Sequence, residues 1–157
     1  MASNGPTKMK RGFLLGAVWL FAAARSWASA DIAVQVTATK TGERALLQIG
    51  ISNDSEKAVR ISRNDLPWII DSAMMIVPVV NQPDYEPMSE AFPIQDPISG
   101  VVTVQPRGGL KGTVDLFDRF PQLSRVRNRE VIIFWYLPLK VIDAPPVPFG
   151  GYVRLQL

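Results

Sequence analysis

Val131-Ile132-Ile133-Phe134-Trp135-Tyr136-Leu137 is the longest unbroken apolar and aromatic run outside the first thirty residues. It is far too short to cross a bilayer, which takes about 20 residues. β-Branched and aromatic side chains fill every position but the last, so the run reads as the central strand of a sheet. Arg125, Arg127 and Arg129 precede it; Pro138, Pro145, Pro146 and Pro148 follow. In a strand, Val131, Ile133, Trp135 and Leu137 share one face, and Ile132, Phe134 and Tyr136 share the other. A sandwich strand needs only one apolar face. The first set is expected to line the core. The second is expected to lie beneath the proline-rich segments at 81–97 or 144–149; left open, it would be the first place to seek a partner.

Residues 1–30 read as a cleaved secretory signal helix. Lys8, Lys10 and Arg11 give a basic start, residues 12–24 are apolar, and Ala28-Ser29-Ala30 supplies small residues at a cleavage site. No cysteine follows, which excludes a lipoprotein anchor, and no stable membrane span is expected once the leader is removed. Four of the 17 basic residues (Lys8, Lys10, Arg11, Arg25) and none of the 14 acidic ones lie in this leader. That leaves 13 against 14, a net charge of −1 on 31–157. The basic character of the whole chain therefore belongs to the leader, and a nucleic-acid footprint is not expected.

The chain has no cysteine and no histidine. Stability in an oxidising compartment must then come from packing and not from disulfides. Histidine-dependent and cysteine-dependent nucleophilic catalysis, histidine-ligated zinc and a histidine pH switch are all excluded.

The remainder reads as one all-β domain at 31–157. Ile32, Val34, Val36 and Ala38 alternate with Ala33, Gln35, Thr37 and Thr39, and Thr41-Gly42 turns the chain. Ala45, Leu47, Ile49 and Ile51 form the inner face of a second strand, Asn53-Asp54-Ser55-Glu56 makes a polar turn, and Val59 and Ile61 open a third. Leu66-Pro67-Trp68 marks an edge, corner or crossover, because proline denies a ladder donor. Residues 73–80, with Pro78 inside, suit an edge strand; 81–97 is a long proline-rich and acidic connection. Strands are expected at 98–105, 110–116, 131–137 and 153–157, with turns at 106–109 and 138–151. Seven or eight short strands and no amphipathic helix predict a single antiparallel two-sheet, immunoglobulin-like sandwich.

The residues Ile51-Ser52-Asn53-Asp54-Ser55 leading to Val59-Arg60-Ile61, then 106–120 (PRGGLKGTVDLFDRF), then the aromatic strand, resemble a bacterial secreted immunoglobulin-like domain. The cysteine pair usual in such domains is missing. A fainter resemblance is to the N-terminal domain of periplasmic pilus chaperones: Arg129-Glu130 runs into Phe134-Trp135 and then Pro145-Pro146, similar to that family's arginine-glutamate, aromatic-strand, proline segment. The family's subunit-anchoring arginine and lysine have no placeable counterpart, so no functional residue is carried over. This second resemblance implies strand addition along an open sheet edge.

Candidate sites are few. Trp68 is an anchor for a partner if exposed and a core plug if packed. Phe134 and Tyr136 are partner-binding candidates if nothing covers them. Arg125, Arg127 and Arg129 would share a face in a strand and could clamp an anion or partner, but Asn128 suggests a turn that would scatter them. Asp115 and Asp118 flank a strand end, with Asp65 and Asp71 elsewhere; paired carboxylates can share acid and base work in a hydrolase, but nothing in the sequence places two of these around a substrate. Asp84, Glu86, Glu90 and Asp96 match no calcium-loop spacing. Lys111-Gly112-Thr113 after Gly108-Gly109 lacks the order of a phosphate loop. Asn53-Asp54-Ser55 is formally a glycosylation sequon. The expectation is an exported, periplasmic or secreted, non-enzymatic binding or accessory module with a protein partner and no catalytic residues, cofactor or metal. An assembly chaperone-like protein is the alternative, and a carboxylate-dependent hydrolase the third reading.

Overall fold

A computed structural model describes residues 31–80, 88–91, 95–142 and 144–157. The leader at 1–30 and most of the proline-rich connection lie outside the described residues. Eight antiparallel strands follow in order: β1 (Ile32–Thr41), β2 (Arg44–Asn53), β3 (Val59–Ser62), β4 (Met75–Val80), β5 (Val101–Val104), β6 (Gly109–Asp115), β7 (Glu130–Leu139) and β8 (Val147–Gln156). One short helix, α1 (Leu116–Arg119), and 3₁₀ turns at Arg63–Asp65, Asp71–Ala73 and Pro121–Arg125 complete the described chain.

The all-β expectation holds, and the single two-sheet sandwich is corrected. Hydrogen bonding divides the strands into three sheets: β1-β2-β6, β3-β5 and β4-β7-β8. The reason lies in β3. It gives way to a 3₁₀ turn after four residues, so it cannot run along β7. Just past the end of β7 the small sheet is hydrogen-bonded to the chain, where Ile61 bridges Val141 and Ile142 N–H donates to Arg60 C=O at 2.8 Å. What would be one second layer is thus two hydrogen-bonded pieces. Their inner faces still share one apolar core with the first sheet. Leu47, Ile49 and Ile51 of β2 meet Ile61 and Val104 of the small sheet and Ile76, Val131, Ile133 and Leu137 of the third.

Local chemistry explains the joints. Thr41 pairs with Arg44, so β1 and β2 are linked by Gly42-Glu43, and Gly42 at φ 60° takes the position where a two-residue hairpin requires a positive φ. At the other end of β2, Asn53 is fully buried. Its amide donates to Lys57 C=O at 2.8 Å and Val104 C=O at 3.1 Å, while its carbonyl accepts from Ser55 N–H and Oγ. The turn thereby ties β2 to the small sheet, as a buried amide must find partners. Asn53 is not presented for glycosylation.

Three other sequence boundaries shift. The strand expected at 98–105 is confined to β5. Leu116 opens α1 instead of ending β6, because the Asp115 carboxylate accepts from Phe117 N–H at 3.0 Å and caps a helical turn. The turn expected at 138–151 is shorter, since β7 continues to Leu139 and β8 begins at Val147. Pro138 and Pro148 face one another in that extension. They fit because β4 pairs β7 only as far as Tyr136, and β8 is an edge strand. Pro78 likewise sits in the edge strand β4.

Candidate functional site

The β4-β7-β8 sheet is two-faced along its central strand. Val131, Ile133, Leu137 and Leu139 are buried, whereas Phe134 and Tyr136 are exposed. Phe134 keeps 47% of its surface and Tyr136 45%, so the described residues at 144–149 do not cover them as expected, while 81–87 and 92–94 of the other expected cover lie outside the described residues. Phe149, in the segment expected as cover, turns inward instead and is buried.

Register builds these two residues into a patch. Val77, Phe134 and Tyr152 lie in one row across the three strands; Met75, Tyr136 and Gly150 lie in the next. Met75 is 61% exposed, Val77 43% and Tyr152 56%. The Phe134 and Tyr152 rings pack with centroids 6.1 Å apart and planes tilted by 48°, a cross-strand aromatic pair. Gly150 leaves room for Tyr136: a Cβ there would touch its ring edge at 3.7 Å. On the opposite face Trp135 leans in the same way over Gly151. The charged side chains on the outer face of these strands are Glu130 and Arg154, which pair at 3.4 Å at one end of the patch. Scattered exposed apolar residues are ordinary, whereas these five are neighbours on one sheet face.

The other sequence candidates fall elsewhere. Trp68 is half-buried on the inner side of β6, over Gly112, where an added Cβ would collide with the indole ring. It plugs the notch left by a missing side chain, which is the packed alternative. Arg125 ends a 3₁₀ turn, Arg127 donates to Ser124 C=O, and Arg129 pairs through its backbone with Leu157. Asn128 at φ 53° breaks the extended run, so the three exposed arginines do not form one strand face.

The carboxylates are engaged separately. Asp115 caps α1 and pairs with Arg44 at 2.7 Å, which raises the Arg44 pKa, and Asp71 accepts from Gln95. Burial pushes Asp65 above the usual carboxylate range, and Lys140 pulls it the other way. Among the described residues, no group of acidic side chains is placed to hold a metal. Asp84 and Glu86 lie outside the described residues.

Sequence reading missed the role of Arg119. This buried residue ion-pairs with Glu90 and donates from Nη2 to Met74 C=O at 2.5 Å, while its own C=O accepts from Ala91 N–H at 2.8 Å. It therefore pins the piece of chain at 88–91 against α1. Burial raises the Glu90 pKa, opposed by the Arg119 hydrogen bond and charge. No local pattern announces such a pairing across 29 positions.

No family model matches the chain, and no curated protein matches it significantly. No helix among the described residues is long and apolar enough to cross a membrane.

Proposed function

We propose that the protein is an exported, non-enzymatic binding module that engages a protein partner through the outer face of β4-β7-β8. The observation carrying this reading is the open patch of Met75, Val77, Phe134, Tyr136 and Tyr152. The fold does not need it, since the inner face of the same sheet supplies the core. The leader-like residues 1–30 support export to the periplasm or medium. Phe134→Glu and Tyr152→Glu test the reading. Both variants should keep wild-type secondary structure and lose association with the partner, measured by sedimentation or surface capture. Unaltered association in both would refute it.

A second reading, assembly by strand addition, is favoured by β8. This ten-residue edge strand is hydrogen-bonded to β7 on one side and lies beside β1 without forming a ladder with it. Its inward residues Val147, Phe149, Val153 and Leu155 alternate as an added strand would require. Amide exchange separates the readings. Strand addition protects β8 amides on the free edge upon complex formation, whereas face docking leaves those amides unchanged.

A further inference from the structure

The binding-face reading leaves the partner open. Resting on that reading, we propose that the occupant is a second copy of this chain, packed face to face about a two-fold axis running along β7. Three properties of the patch point there.

The first is area. Aromatic side chains carry about 150–250 Å² each. With roughly half of each side chain open, the five residues offer on the order of 500 Å² of largely apolar surface. A standard interface takes about 800 Å² from each partner, of which about 65% is apolar in homodimers. The patch thus supplies the apolar share of one side of a homodimer.

The second is charge. Glu130 and Arg154 neutralise one another at the margin. A second copy adds no unmatched charge to the contact. An anionic lipid surface would call for a basic rim, and among the described residues this face has one cation, already paired. A flat sugar ring would call for coplanar aromatics, whereas Phe134 and Tyr152 are tilted by 48°.

The third is self-complementarity. The β4 flank is aliphatic, with Met75 and Val77, and the β8 flank is aromatic, with Tyr152. A two-fold along β7 lays each β4 on the partner's β8, so Val77 meets the partner's Tyr152 twice, Met75 lies over the partner's Gly150 beside the partner's Tyr136, and β7 meets itself at Phe134 and Tyr136. Methionine against an aromatic ring is a favourable contact. Aligned sheets about 10 Å apart pack in this way within ordinary sandwiches.

The chain has no cysteine, so introduced thiols are unique. The full-length protein carrying Phe134→Cys should cross-link to itself with a short bismaleimide, at least about ten-fold more than Lys111→Cys on the outer face of β6. Val77→Cys mixed with Tyr152→Cys, which share a row, should give a mixed dimer in greater yield than either variant alone. In sedimentation equilibrium the unmodified protein should dimerise in the micromolar range. Tyr152→Glu should weaken that by at least about 30-fold. A protein monomeric to about 100 μM, with no Phe134→Cys cross-link above the control, would overturn the dimer. So would preferential 77–77 and 152–152 products, or retention on neutral lipid vesicles that Tyr152→Glu abolishes. If the dimer fails but Phe134→Glu still abolishes retention of a different purified protein, the binding face stands with another occupant. If Phe134→Glu changes no association, both inferences fall.

Discussion

The two outer sheet faces of this protein are built by the same alternation and carry opposite chemistry. On β1-β2-β6 the outward set includes Gln35, Thr37 and Thr39 of β1, Arg44, Gln48 and Ser52 of β2, and Lys111, Thr113 and Asp115 of β6. On β4-β7-β8 it includes Met75, Val77, Phe134, Tyr136 and Tyr152. Both faces back onto the same core, so packing asks the same of each: an apolar interior side and a wettable exterior. The first face meets that requirement and the second departs from it. The inner side of the same sheet supplies its share of the core, and the outer set is what the proposed binding role would use.

Substitutions can test how separate the inner and outer sets are. The largest effect belongs to the core. Ile133→Ala should cost about 3 kcal/mol or more in urea unfolding, because Ile133 is fully buried. Its neighbour Phe134→Thr should cost less than about 1 kcal/mol, as an exposed change that keeps strand propensity. Similar losses from both would erase the distinction between the faces.

Arg119→Ala should follow, at about 3 kcal/mol, since it strands Glu90 and removes a donor from the Met74 carbonyl. Gly112→Ala should cost about 1–3 kcal/mol through collision with Trp68. Combining it with Trp68→Ala should cost less than the two changes summed, because the collision is gone. Additive losses would show that Trp68 does not sit in the Gly112 notch.

The smallest effect concerns pH. Burial raises the Asp65 pKa in the folded protein. The protonated form is therefore favoured by folding. The associated stability is present below the unfolded pKa, about 4, and is lost as pH rises through the folded value. Asp65→Asn should gain stability over wild type at neutral pH by less than about 1 kcal/mol. The gain should vanish in acid, as read from melting temperatures across about pH 3–8.

Much of this fold was legible locally. The alternations around Leu47, Ile49 and Ile51 and around Ile133 and Leu137 mark their strands, and Pro78 marks an edge. Which side of β7 would be covered was not legible, because cover comes from chain far away in sequence. The same holds for the split of the second layer, which depends on β3 ending early at Arg63. It holds also for Trp68 over Gly112 and Arg119 with Glu90, each joining residues dozens of positions apart. Pro138 and Pro148 read as turn residues because their tolerance at a sheet edge depends on where β4 stops. At the candidate site, Phe134 and Tyr136 could be named from sequence, but Met75, Val77 and Tyr152 join them only through register.

The claim that the outer face serves association and not folding is tested most directly by urea unfolding of the triple variant Phe134→Thr, Tyr136→Thr, Tyr152→Thr, at low protein concentration to exclude partner effects. Threonine keeps strand propensity while removing the aromatic surface. The predicted result is a stability within about 1.5 kcal/mol of wild type. A loss matching or exceeding that of Ile133→Ala would contradict it and make the patch part of what holds the fold together.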